Sequence, residues 1–477
     1  MPRRWIGPSG GSSPSSPSQA DPRGAAALRR VAHLAGAVPT APTRGVPTEG
    51  RPAQRLTPRA CQASTSASTS TSVVVGGMIL DLQAAPSAGV EIRRGTSVPG
   101  VTRQTPGGVG RNIAEGLARM APRGVPPPLL VSAVGDDLAG SALLAAWSGL
   151  GASVAGVRVC EGAATPVVAT VLDAHGEVAS SVADTSTVEA GLDPAWVARF
   201  ERDVAAANIV ILDGNCTPDA LAAAAAAAAS ASSRPGIDAG SGEALSPRVW
   251  FEPVSIAKST RAGTAGILGT LDFVSPNAGE LRAMANDVRA RRGEPLAADP
   301  GAGASTQSAL HFSSAQEAVE TMHADIEVML REGVVHVVLT LGEMGVLLST
   351  RASAGDGGGG RGPRRPRVNP SPRGGSDRDT FQVVHRHFPA LPASVVSLVG
   401  AGDSLVAGCA AALLGGLGVE EAVAMGVAAS RRAIEDAANV PSRPDVAFGA
   451  LREDSRSVLA GVQTVKYYPR MPLSGCG

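Results

Sequence analysis

Aromatic side chains are nearly missing from this chain: Phe, Trp and Tyr together supply 3% of its 477 residues. Such a composition is unsuited to a base-stacking surface. No charge of either sign prevails, since 42 Lys and Arg balance 42 Asp and Glu. That balance excludes a general binder of nucleic acid or other polyanions. The five cysteines, Cys61, Cys160, Cys216, Cys409 and Cys476, form no CxxC pair. A zinc site or disulfide framework is not indicated, and a reducing compartment is the simpler reading. Long apolar runs are lacking too. The nearest candidates are the alanine-rich 220–232 and the glycine-broken 404–418, both read as helices of a domain that does not enter a bilayer. Neither a Walker A loop nor a GxGxxG after the first strand is found.

What the chain does hold is small residues, including 58 glycines, which suit close packing of helices on a sheet. Residues 1–72 are rich in Ser, Pro and Ala and carry nine arginines against Asp21 and Glu49. An acidic-poor, Arg-rich leader reads as an organelle-targeting segment, plastid or mitochondrion before peroxisome. The stretch "RLTPRACQA" (55–63) resembles an amino-terminal peroxisomal signal. A merely disordered tail on a cytoplasmic protein is the bland alternative.

Folded sequence begins at "VVVGG" (73–77), a β-branched run closed by glycines. Further strand-like runs lie at 128–135, 167–173, 208–214, 249–254, 271–277 and 334–342. Between them lie helical patterns. In 313–333, Ser314 and Glu317 form a capping box, Val319, Met322, Ile326 and Met329 make one stripe, and Gly333 is a stop. Alternating strands and helices predict an α/β domain over 73–450 with a mostly parallel sheet covered on both faces. Two Gly/Pro/Arg-rich stretches, near 286–312 and 351–380, read as loop insertions, and 451–477 as a C-terminal tail. No internal repeat is present.

Four stretches carry chemistry. "QTPGGVGRNIAEGLARM" (104–120) sets Gly108 and Asn112 at a helix start. "SPNAGEL" (275–281) spaces Asn277 and Glu280 as a helix cap would, or as a site that orders metal-bound water beside phosphate would. "TLGEMG" (340–345) ends a strand with Thr340, Gly342 and Gly345. "SLVGAGDSLVAG" (397–408) runs from Gly400, Ala401, Gly402 and Asp403 straight into an apolar helix. Each admits a plain structural reading, but all fall at carboxyl ends of strands, where open α/β sheets bind ligands.

In this order the motifs resemble those of the pfkB, or ribokinase-like, carbohydrate kinases: "GGVGRN" is similar to the first family signature and "GAGDSLVAG" to the second. The resemblance covers about 73–447, and "TPGGVGRNIAEGLARM", "TPVVATVLDAHGEVASSVA", "VWFEPVSIAKSTRA" and "SPNAGELRAMAN" are similar to eukaryotic pseudouridine kinases. It implies a ribokinase-like α/β/α sandwich with a small β lid, and transfer of the γ-phosphate of ATP, with Mg²⁺, to a sugar 5′-hydroxyl. Asp403 would be the base, and the N–H groups of Ala401, Gly402 and Asp403, shaped by Gly400, the anion hole. Asp81, Gly108 and Asn112 would hold ribose, with Thr165 on a lid strand facing the nucleoside. Thr340, Gly342 and Gly345 would line the nucleotide site, Asn277 and Glu280 would support Mg²⁺ and phosphate through water, and Asn439 would approach adenine. Lys258 lies in a subfamily stretch and takes no role. Where many members read Asp-Thr-Thr, this chain reads Ser397-Leu398-Val399, so activation by a monovalent cation such as potassium is not carried over.

The leading expectation is thus an ATP-dependent kinase making pseudouridine 5′-phosphate. Its phosphate product would pass to a separate pseudouridine-5′-phosphate glycosidase. A homodimer is compatible with the resemblance; nucleic-acid and membrane partners are not expected. A kinase for ribose, adenosine or another sugar, and a catalytically silent scaffold, are the alternatives.

Overall fold

A computed structural model describes residues 72–87, 89–93, 95–174, 178–230, 246–298, 312–352, 381–442 and 446–468. The targeting expectation for 1–72 therefore lies, but for Ser72, outside the described residues.

The larger sheet has ten strands. Its parallel part runs β5 (Val157–Cys160), β4 (Leu129–Gly135), β1 (Ser72–Val75), β8 (Ile209–Asp213), β9 (Arg248–Glu252), β10 (Phe273–Val274) and β11 (His336–Thr340). Three antiparallel strands extend it: β12 (Val346–Arg351), β13 (Val383–Phe388) and β14 (Gln463–Val465). Side chains alternate across this sheet, as the two-residue period of a strand requires. Val73, Val75, Val210, Leu212, Val337 and Leu339 enter one buried cluster. Val74, Ile209, Ile211 and Val338 enter the other. Both faces are apolar because both are covered, and this is why these strands read as unbroken Val/Ile/Leu runs.

One cluster lies under the helices Pro218–Ser230, Ala278–Arg292 and Ala315–Arg331. The other lies under Val109–Met120, Leu138–Gly149, Ala401–Leu414, Val419–Ile434 and Phe448–Ala460. The expected helix at 313–333 is present. Ser314 caps it by accepting the Glu317 N–H at 3.2 Å, and Val319, Met322, Ile326 and Met329 are fully buried. Glu317 answers with a bond from the Ser313 N–H at 2.7 Å, one residue away from the expected reciprocal cap. No helix among the described residues is long and apolar enough to cross a membrane.

A second sheet of four strands forms the lid, in the order β3 (Gly100–Gly107), β2 (Ile79–Pro86), β6 (Val167–Leu172) and β7 (Val178–Asp184). Only β6 announced itself in the sequence. Most of β3 is exposed and β2 is half-buried, so neither carries the apolar run of a core strand.

Two boundaries move. Residues 286–292, expected in a loop, finish the helix Ala278–Arg292, whose Val288 and Arg289 are buried; an αL glycine, Gly293, stops it. Of that expected insertion, 299–311 lie outside the described residues. The expected tail from 451 is instead part of the domain. Leu451 and Val458 of the last helix are fully buried, and β14 pairs with β13. The second insertion narrows to 353–380, outside the described residues, because Arg351 still pairs with Val383.

Candidate active site

The helix Ala401–Leu414 begins in an unusual way. Gly400 stands before it in the left-handed region (φ 77°), and no side chain caps the first turn. A Cβ on residue 400 would meet the Asn439 carbonyl oxygen at 1.9 Å, so only glycine fits. The opening N–H groups of a helix have no partner within it. Here the Ala401 N–H reaches the Leu398 carbonyl at 3.5 Å. The N–H groups of Gly402 and Asp403 follow on the same free end, which favours an anion.

Asp403 occupies that first turn. Burial pushes its carboxyl up to about 7; the Asn112 hydrogen bond and Arg111 oppose the rise, and the charges of Asp213 and Asp81 add to it. Asn112 comes from the helix Val109–Met120 and donates from Nδ2 to Asp403 Oδ2 at 2.8 Å. This helix can start beside β1 because Gly108 adopts φ 92°, where a Cβ would meet the Gly77 carbonyl oxygen at 2.5 Å.

Behind Asn112 stands Arg111, almost buried, donating to Asn112 Oδ1 at 2.9 Å and to the Pro106 carbonyl at 2.6 Å. It also pairs with Glu115. Burial lowers its pKa to about 10, Arg119 adding to the drop and Asp81 and Asp403 opposing it. The Pro106 carbonyl also lies 3.4 Å from Asn439 Nδ2, which donates to Asp81 Oδ2 at 2.7 Å. Burial raises Asp81, and Asn439 and Arg111 oppose the shift. Polar contacts thus run unbroken from Asp403 through Asn112, Arg111, Pro106 and Asn439 to Asp81. Beside them a cavity of about 220 Å³ is lined by Thr105, Arg111, Glu115, Arg119, Asn439 and Ser442.

Three expectations change here. Asn112 holds Asp403 before it can hold a sugar. Asn439, expected near adenine, belongs to the Asp81 side, because its amide is committed to that carboxylate. Thr165 lies two residues ahead of β6, is buried, and has its hydroxyl engaged on both sides. It donates to Asp137 Oδ1 and accepts from the Gly135 N–H at 3.0 Å. A hydroxyl so placed fixes the start of the lid and has no lone donor left for a nucleoside.

Asn277 and Glu280 form a reciprocal capping box, each accepting the other's N–H at 2.9 Å. The cap uses Glu280 Oε2, and burial raises this carboxyl. Asn277 bridges to Thr340, whose N–H donates to the Pro276 carbonyl at 3.0 Å. Gly342 and Gly345 turn the chain with φ 61° and 95°. These residues share the carboxyl ends of β10 and β11 but make no described hydrogen bond to Asp403.

Two carboxylates escaped sequence reasoning, Asp213 buried and Glu252 half-buried. Asp213 ends β8, and Glu252 ends β9. Burial raises Glu252 well above the usual range; the Ser275 hydroxyl opposes this, and Glu280, Asp403 and Asp213 push it further. Their signal was weak: single acids closing apolar strands, "VILD" and "VWFE".

The chain matches the pfkB family of carbohydrate kinases over residues 69–370 and 374–444. It belongs to that family. A pseudouridine kinase of Arabidopsis thaliana is 33% identical over 412 residues, 84% of this chain and 99% of the relative. A pseudouridine kinase of Escherichia coli (strain K12) is 30% identical over 150 residues, 31% of this chain and 46% of the relative. The ribokinase of Arabidopsis thaliana, solved with ribose and ATP, superposes with a TM-score of 0.55 at 18% identity, over 82% of this chain and 99% of that one. The fold is therefore ribokinase-like, and the pfkB chain is a phosphotransferase acting on a sugar or nucleoside hydroxyl.

Proposed function

We propose that this pfkB kinase transfers the γ-phosphate of ATP to the 5′-hydroxyl of pseudouridine. The observation that carries the chemistry is the placement of Asp403: a carboxyl raised to about 7, at the uncapped start of an apolar helix, with one oxygen held by Asn112. The choice of acceptor is supported by the likeness to a pseudouridine kinase over 99% of that relative's length.

An alcohol is a poor nucleophile, and a carboxylate titrating near neutrality is suited to take its proton. Asp403 Oδ1 accepts that proton as the 5′-oxygen bonds to the γ-phosphorus and the bond to the bridging oxygen of ADP breaks. Charge on the transferred group is met by the N–H groups of Gly402 and Asp403. Asp81, held by Asn439, and Asn112 lie on the acceptor side.

Asp213, Glu252, Glu280 and Asp403 gather four carboxyl groups, and Glu252 feels the other three. Such a setting fits a hard divalent cation. Among the described residues no three acidic, His or Cys side chains stand close enough to chelate one. Glu280 and Asn277 would therefore hold Mg²⁺ through water, and it would supply neutralisation of phosphate charge.

The test is a panel of pseudouridine, uridine, ribose and adenosine with Mg·ATP. Pseudouridine should be preferred strongly, because a site built around polar groups rejects an analogue that displaces them. A preference for ribose or adenosine would reassign the acceptor, and no turnover of any would return the chain to the silent-scaffold reading.

A further inference from the structure

The backbone is strained at one position beside these carboxylates. Val254, with φ 71°, is the sole non-glycine residue of positive φ among the described residues. For a β-branched residue that is an outlier. The Ser255 N–H donates to the Pro253 carbonyl at 2.8 Å, so Val254 is the centre of a γ-turn. The turn folds the chain back as it leaves β9. The short helix Ile256–Ser259 then brings Lys258 to the end of β8, where its ammonium donates to Asn215 Oδ1.

Asn215 passes this contact on. Its backbone N–H and its Nδ2 both donate to Asp213 Oδ1 at 2.8 Å. Asp213 Oδ2 accepts the Gly77 N–H at 2.8 Å and the Gly110 N–H at 2.9 Å. Gly77 closes the turn that leads into β2 and Asp81; Gly110 opens the helix that presents Asn112. Burial raises Asp213, and the N–H donors and Lys258 oppose the rise. Four N–H groups fill its lone-pair sites, an arrangement that favours the anion.

We propose that Lys258 is a positioning residue for phosphoryl transfer: through Asn215 and Asp213 it fixes the two backbone segments that carry Asp81 and Asn112. An asparagine amide has one accepting and one donating end. A cation at one end and a carboxylate at the other permit a single orientation. Remove the ammonium and the amide is held from the carboxylate end alone, so its donation to Asp213 is less firmly fixed. The residue type matters. Of the 42 Lys and Arg residues, only Lys258 and Lys466 are lysine. A compact ammonium on a flexible stem suits one amide oxygen, whereas a planar guanidinium seeks a paired acceptor. The strain at Val254 is what delivers it there; strain of this sort persists where surrounding structure enforces it.

This inference rests on reading the Asn112–Asp403 centre as the site of transfer, but one arm of its test needs no substrate. In the full chain, Lys258→Ala should speed amide hydrogen exchange at Gly77 and Gly110 about tenfold, the worth of one charge-assisted hydrogen bond. With the best acceptor of the panel, its KM should rise by about tenfold while the KM for ATP stays within about twofold. Added methylammonium should restore part of both effects. Lys258→Met, which keeps the packed stem, serves if the alanine variant folds poorly. Unchanged exchange at Gly77 and Gly110 overturns the proposal, and a rise confined to the KM for ATP assigns the ammonium to phosphate instead. If no acceptor is turned over by the parent chain, the proposed function fails and the exchange arm still decides this one.

Discussion

Asn112 and Asp403, 291 residues apart in the chain, meet through a 2.8 Å bond from Nδ2 to Oδ2. That bond joins the two pfkB signatures: the first supplies the amide, the second the carboxyl. It leaves Oδ1 of Asp403, the proposed base, for a hydroxyl and stabilises the ionised form.

Replacing Asn112 therefore acts on the proposed base. Its hydrogen bond opposes the burial that raises Asp403, so Asn112→Ala should move the acidic limb of the pH–rate profile upward. Turnover at pH 7 should drop, with partial recovery at pH 9. A profile shifted downward, or unshifted, would return Asn112 to a role in sugar binding alone.

The unmodified protein has its own pH signature. Asp403 titrates at about 7, and a base works only when ionised, above that value. kcat/KM, which reports the free enzyme, should fall with unit slope as pH drops through about 7. An ordinary carboxylate would not be felt until about pH 4.

Asp403→Asn separates chemistry from folding. It keeps size and an accepting oxygen but removes the basicity, so kcat should fall by about 10²–10⁴-fold, the usual worth of a general base. Stability should move the other way. A carboxyl raised in the folded state is a cost that begins above its unfolded value, grows with pH and is complete above about 7. The variant should thus melt higher than the parent at pH 8, with the gap closing towards pH 4. Melting curves at both pH values test this; equal melting at pH 8 would mean that the carboxyl is not strained by burial.

Much of this was legible because covered parallel strands are apolar throughout. β1, β4, β8, β9 and β11 stood out as runs, and the signature glycines marked where backbone approaches backbone. Lid strands were not legible. β3 reads "GVTRQTPG" and is largely exposed, so nothing in its pattern repeats. Asp403 was found by its motif, whereas Asp213 and Glu252 were not, because a single acid after a buried strand has the sequence of an ordinary turn. Asn439 shows a different limit. It lies between the helices Val419–Ile434 and Phe448–Ala460, its partner is on the first lid strand, and no local pattern encodes a contact of that span.

The hairpin β12–β13 allows a prediction about 353–380. The ladder from Val346–Phe388 to Arg351–Val383 is complete, and the Ala352 N–H donates to the Gln382 carbonyl at 2.7 Å. Strand ends already held together need little from the chain that joins them, and loop length carries a slowly varying entropic cost. A short Gly/Ser linker in place of 353–380 should leave melting temperature and turnover nearly unchanged. A loss of soluble protein would mean that the segment contributes to the fold.

Asn439→Ala tests the redrawn acceptor side. In the parent chain Asn439 Nδ2 donates to Asp81 Oδ2 at 2.7 Å and lies 3.4 Å from the Pro106 carbonyl. Without the amide, Asp81 loses the hydrogen bond that opposes its burial, and its carboxyl rises further. Less of it is then ionised to accept from a sugar hydroxyl. One hydrogen bond to a charged group is worth about 1.5–3 kcal/mol, so the KM for the acceptor should rise by roughly ten- to a hundredfold. The KM for ATP should hold, because the described partners of the Asn439 amide are Asp81 and Pro106, not Thr340 or Gly342. Asn439 is buried, so Asn439→Asp offers a second arm: it places a carboxylate against Asp81 and should weaken acceptor binding more than alanine does. Were the KM for ATP to rise and that for the acceptor to stay, Asn439 would go back to the adenine side and the chain of contacts from Asp403 to Asp81 would lose its last link.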